Sequence, residues 1–252
     1  MKYSFKILAI IALALLATSC YFRVQKNGEA KLFDATRGDG NVIDKEYTVK
    51  PFNKIDNQTG LNVIYVQDSS TMVRIHADSN IVALLDVSVE DSTLTIRKDE
   101  KNLILEGDKY IYIACPSVRS VAGRGSGNFN TENFKLGSLK IDFSGSGNIF
   151  MKNGSLDGLE VSTSGSGNVE MENITCTSSI FIGTAGSGSI NIKGINGQDL
   201  VCGSAGSGDI TVSGVVKNIK AGTAGSGNID IRNLKCESKY VSAKGSGKVI
   251  TE

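Results

Sequence analysis

The tripeptide Gly-Ser-Gly recurs seven times in the second half of this 252-residue chain, and its spacing leaves few folds open. The corners begin at Gly125, Gly145, Gly165, Gly186, Gly206, Gly225 and Gly245, with steps of 20, 20, 21, 20, 19 and 20 residues. They close at Gly127, Gly147, Gly167, Gly188, Gly208, Gly227 and Gly247. A near-constant period of this size marks a solenoid, in which each repeat buries its apolar face only against its neighbours.

The columns between the corners identify the kind of solenoid. Four residues before each first glycine stand Val121, Ile141, Val161, Ile182, Cys202, Ala221 and Val241. Two places earlier stand Leu139, Leu159, Ile180, Leu200 and Ile219, with Arg119 and Lys239 breaking that column at its ends. Four residues after each first glycine come Phe129, Ile149, Val169, Ile190, Ile210, Ile229 and Val249, and two further on Met151, Met171, Ile192, Val212 and Ile231. Alternation with a period of two and a β-branched preference predicts strands that show one face to a core. Each repeat reads as strand, glycine corner, strand, and a second turn near Asn173, Gly194, Gly214 and Asn233. A leucine-rich repeat has a similar period but needs a Leu-x-x-Leu-x-Leu frame, which the chain lacks.

The expected fold over 117–252 is therefore all-β: a right-handed parallel β-helix of about seven rungs. At ~4.8 Å per rung the array is about 34 Å long. Glycine suits the corners because it takes φ > 0 without steric cost. Asn148, Asn168 and Asn228, one place beyond their corners, are placed to stack into an amide ladder. Residues 46–116 lack the corner motif but contain strand-like runs at 62–66, 72–77, 87–89, 93–97 and 110–115, with a short helical turn at 79–85. They read as irregular opening rungs or a cap that covers the unpaired edge. Lys239, Lys244 and Lys248, in or near the final rung, discourage end-to-end growth.

The first twenty residues form a targeting segment. Lys2 and Lys6 precede a short apolar run, Ile7 to Leu16, and Ala17-Thr18-Ser19 lead into Cys20. This resembles a lipobox, with Leu16 one place further from the cysteine than usual. It implies that Cys20 carries the lipid and that the partner at this end is a membrane. Ten apolar residues are too few to span ~30 Å of hydrocarbon as a helix. Without Lys2 and Lys6 the chain has 25 basic and 26 acidic residues, so no basic excess points to nucleic acid. Residues 21–45 read as a flexible tether; its Arg37-Gly38-Asp39 is a tripeptide that some receptors bind, and in a linker chance explains it.

The run Pro51-Phe52-Asn53-Lys54-Ile55, the strand-rich opening and the seven corners together resemble the putative auto-transporter adhesin head GIN domain family. The resemblance covers residues 45 to 252. It implies a right-handed β-helix on a secreted or lipid-anchored envelope protein of diderm bacteria, without a recognised catalytic set and without a motif of functional residues to carry over.

A search for chemistry finds little to support catalysis. His76 is the only histidine, on the polar side of its strand. Cys115, Cys176 and Cys236 sit about three rungs apart, near 14 Å, beyond disulfide reach. Cys202 lies in a core column, where it acts as a small apolar residue, and a bridge from it to Cys176 or Cys236 stays open. No cysteine–histidine spacing suggests zinc, and of the residues after the corners only Asp209 suits the nonapeptide calcium mode. Hence no catalytic residue, metal ligand or cofactor is assigned.

Phe150, Phe181, Val201 and Tyr240 point outward, beside a strip of small residues (Ser162, Gly183, Gly203, Gly222, Ser242). They are the candidate binding patch for a glycan or protein, although scattered apolar surface residues are also ordinary. Three functions fit: a non-catalytic envelope adhesin or binding module, a β-helix lyase or glycosidase if acids converge on one groove, and a structural or regulatory envelope lipoprotein. The anchor is expected in the outer membrane, facing either outward or into the periplasm.

Overall fold

The computed structural model describes residues 35–98 and 102–251, so Cys20 and the targeting segment lie outside the described residues. The chain forms a β-solenoid of about seven turns, its parallel strands stacked in the register that the corners dictate. Gly145, for example, stands over Gly125 and under Gly165, and Ile141 stands between Val121 and Val161. The apolar columns form one continuous interior, from Val121 through Ile141, Val161, Ile182 and Cys202 to Ala221.

Each coil has one more side than a two-strand reading supplies. Asn133, Asn153 and Asn173 take φ of 54, 53 and 54°, and Gly194 occupies the same bend at 69°; Gly214, at 131°, stands one place further on, opposite Ile195. Asparagine is among the few non-glycine residues that enter this left-handed region readily. After the bend the inward alternation resumes one residue out of phase: Met151 and Gly154 are both buried, and the two residues between them are exposed. A short third side results, which buries Leu156, Ile174, Cys176, Ile195 and Val216.

At the glycine corner the coils approach closely. The carbonyl of Gly145 accepts from the amides of Ser166 and Gly167 in the next coil, at 2.9 and 3.3 Å. Gly125, Gly165, Gly186 and Gly206 repeat the arrangement. The first glycine of a corner has positive φ at Gly125, Gly145, Gly165, Gly186 and Gly245. The second glycine does not, and contact explains it instead: a Cβ on Gly167 would lie 2.0 Å from the Gly147 oxygen.

Beside the corners runs a side-chain ladder longer than the three asparagines expected. Asn62 Oδ1 accepts from the Asn128 amide at 3.0 Å, and Asn128, Asn148 and Asn168 each accept from the amide of the coil above at 2.8–2.9 Å. Ser189, Asp209 and Asn228 continue it to Lys248. Inside the corner, Thr184, Ser204 and Thr223 donate to the carbonyls of Gly188, Gly208 and Gly227, which satisfies buried oxygens from within the core.

Residues 46–116 supply opening strands and a cap. Lys54–Asn57 and Asn62–Gln67 lie under the first coil as parallel strands. Met72–Asp78 runs antiparallel to Tyr110–Cys115, and Leu85–Glu90 antiparallel to Thr93–Lys98, with a single helical turn at Ser79–Val82. The tether expected over 21–45 is corrected from residue 35 on. Ala35–Arg37 pairs with Asn102–Ile104, and Val42–Tyr47 pairs antiparallel with Met72–Asp78. The cause is a polar clasp invisible in local patterning. Asp78, buried and ion-paired to buried Lys109 at 3.0 Å, accepts from the Gly40 amide at 2.9 Å. Its carboxylate occupies the space a Cβ on Gly38 would take. Asp39 in turn accepts from the Ser79 hydroxyl at 2.7 Å, so the Arg37-Gly38-Asp39 tripeptide is built into the cap.

Gly167→Ala is expected to destabilise the protein by about 3 kcal/mol, because the clash is with backbone. Gly203→Ala, whose Cβ would meet nothing closer than the Gly222 oxygen at 3.7 Å, is expected to be near neutral. Urea unfolding of the two variants checks the contrast. Thr131→Val removes a buried hydroxyl that has no partner and is expected to raise stability by about 1 kcal/mol in the same measurement.

Candidate ligand-binding face

The face before the corner presents two outward columns. One contains Lys54, Ser120, Lys140, Glu160, Phe181, Val201, Lys220 and Tyr240 in successive coils. The other contains Asp142, Ser162, Gly183, Gly203, Gly222 and Ser242, and is flat because its residues are small. Phe181 and Val201 are side-by-side neighbours and both are half-buried. Tyr240 belongs to the same column and is 64% exposed. Phe150 does not join them. It lies past the corner, between Asn130 and Glu170, on a different side of the coil.

A shallow groove of about 370 Å³ opens on the first column, with Arg119, Lys140, Glu160 and Phe181 around it and Ser138, Gly158 and Ser179 along it. The stacking creates it. Ser138 and Gly158 are register partners, and the missing side chain at Gly158 leaves a depression between longer neighbours. Sequence reasoning missed this site because no single repeat contains it. Its signal was the set of small residues at 138, 158 and 179, two places before Lys140, Glu160 and Phe181.

The polar groups of the groove are arranged by charge. Lys140 donates to Glu160 at 2.8 Å and lies 3.5 Å from Asp142. The Glu160 hydrogen bond, with the Asp142 charge adding to it, holds the ammonium above its usual range. Arg119, which breaks the core column in the sequence, is exposed; Val118 beside it is buried, and Arg119 Nε donates to Asn53 Oδ1 at 3.0 Å. Glu160 and Asp142 are both about half exposed and share one cation.

The remaining sequence candidates lie elsewhere. His76 is on the cap, 3.2 Å from Asp44 and stacked on Tyr110 with ring centroids 4.9 Å apart. Cys115, Cys176 and Cys202 are buried free thiols, and Cys236 is a half-buried one, which closes the open question of a Cys202 bridge. Burial pushes the Cys202 thiol up to about 12. No group of histidine, cysteine and carboxylate side chains suited to a metal occurs among the described residues.

Two matches to one family model, over residues 51–175 and 170–251, cover most of the chain; the model is that of the putative auto-transporter adhesin, head GIN domain. The chain belongs to that family. Among solved structures, a putative adhesin from Bacteroides fragilis is 28% identical with a TM-score of 0.75, over 85% of this chain and 98% of its own. A protein from Parabacteroides distasonis described as a putative lipid binding protein is 23% identical, with a TM-score of 0.66 over 85% of this chain and 98% of its own. A putative adhesin from Parabacteroides merdae is 20% identical, with a TM-score of 0.59 over 86% and 99%. The last two share the fold. No curated protein matches the chain. The family supports a binding role at the cell envelope.

Proposed function

We propose that this GIN-domain protein is a non-catalytic envelope binding module, held in the outer membrane by a lipid on Cys20, whose groove beside Phe181 takes a glycan. The groove carries the reading. An aromatic ring, four serine or glycine positions and a carboxylate–ammonium pair within one depression supply what sugar recognition needs: a face for the apolar side of a pyranose, and donors and acceptors for its hydroxyls. The flat column of Ser162, Gly183 and Gly203 beside it lets an extended chain of sugars lie along the solenoid without steric obstruction. Stacked strands hold the face rigid, so little conformational entropy is lost on binding.

Glycan-array screening followed by calorimetry tests the proposal. Phe181→Ala is expected to weaken the best glycan by about tenfold while leaving the unfolding temperature nearly unchanged, since Phe181 is outside the core cluster. Phe150→Ala, on another side of the coil, is expected to have no effect. Equal loss in both variants, or loss in neither, would remove the groove as the site.

A further inference from the structure

Positive charge is concentrated in the last coils. Residues 35–216 contain fifteen basic and twenty-one acidic side chains, a net of −6, whereas residues 217–252 contain seven basic and three acidic ones, a net of +4. Asp230 holds Arg232 at 2.6 Å. Lys217, Lys235, Lys239, Lys244 and Lys248 are exposed and have no acid partner among the described residues.

These lysines surround the final coil. Lys244 and Lys248 stand on either side of the Gly245–Gly247 corner. Lys235 lies on the third side opposite Val215. Lys239 occupies the column that is Ile219 in the coil below, so a charge replaces a core residue. Apolar surface is exposed among them: Tyr240 is 64% and Val241 39% exposed, and Val249 and Ile250 are only partly buried.

We propose that this coil is a docking tip for an anionic phospholipid surface. Guarding a sheet edge against other strands needs like charge of either sign. Here the net sign is positive, with Glu237 the one acid among Lys235, Lys239, Lys244 and Lys248, and it is opposite to that of the rest of the body. A soluble polyanion would satisfy the lysines but would leave Tyr240 and Val241 in water. A bilayer interface accepts both, with lysines at the phosphates and the tyrosine at headgroup depth. Each lysine near an anionic membrane contributes about fivefold to affinity. The inference is independent of the glycan groove, which lies on coils nearer the cap.

The test holds the full chain by its N-terminus on a sensor surface and passes phosphatidylcholine vesicles with or without phosphatidylglycerol over it. Capture is expected only with phosphatidylglycerol and is expected to fall as salt is raised. The variant K235E/K239E/K244E/K248E keeps like charge along the edge, and hence the guard against self-association. It is expected to remain monomeric and to lose at least about tenfold in capture. If that variant does not fold, K244E/K248E, with both changes at exposed corner positions, provides the same test. Phe181→Ala is expected to leave capture unchanged, which separates this proposal from the glycan reading. Undiminished capture of a folded charge-reversal variant, equal capture of vesicles lacking phosphatidylglycerol, or binding of soluble dextran sulfate without binding of vesicles would each overturn it.

Discussion

One carbonyl oxygen at each of five successive corners, shared by two amides of the next coil, sets the geometry of the whole protein. The Gly145 oxygen, under Ser166 and Gly167, is typical. The contact requires the next coil to pass directly overhead, which only a residue without a Cβ allows. Once the corners are fixed one above another, every residue a fixed number of places from a corner must also stack. Columns follow, then a common interior, then outer faces whose chemistry is read coil by coil. The seven glycine pairs therefore position the groove at Gly158 as surely as they position Ile141.

The same stacking decides how polar groups are satisfied. The backbones of inner coils are hydrogen-bonded above and below, and the asparagine ladder and the inner hydroxyls of Thr184, Ser204 and Thr223 cover what the corners leave over. On the face past the corner, Glu132, Lys152, Glu172 and Lys193 alternate in sign up one column, and Lys152 lies 3.7 Å from Glu172. Alternation of this kind lets charges sit one coil spacing apart without repulsion. The final coils depart from it, with lysines on every side. That departure is what separates the tip chemically from the shaft.

Much of this was legible in the sequence because a solenoid turns periodicity directly into contact. Val121, Ile141 and Val161 touch because they are equivalent in phase, and the outward neighbours Phe181 and Val201 follow from the same arithmetic. What was not legible lies where contact is not periodic. The clasp of Asp78 and Lys109 over Gly38 and Gly40 joins residues far apart in the chain with no repeat to relate them, so residues 35–45 read as part of a tether. The third side of each coil was hidden because Asn153 and Gly194 make the same bend with different residue types. The groove was hidden because it is a depression between coils, formed by a missing side chain at Gly158 and not by any motif. Arg119 interrupts its column in the sequence, and what column counting could not show is that Val118, one place earlier, is buried beside the cap.

Register-specific cross-linking tests the stacking most directly. Ser144 and Ser164 are partners in adjacent coils on the outer face, and Ala185 stands one coil further on. Partner Cα atoms of neighbouring parallel strands lie about 4.8 Å apart, within disulfide range, whereas two coils span about 9.6 Å, beyond it. Cysteines at 144 and 164 are expected to form a disulfide under mild oxidation in the folded protein, and cysteines at 144 and 185 to remain reduced. Bridging of the second pair, or failure of the first in a folded protein, would contradict the stacked-corner architecture.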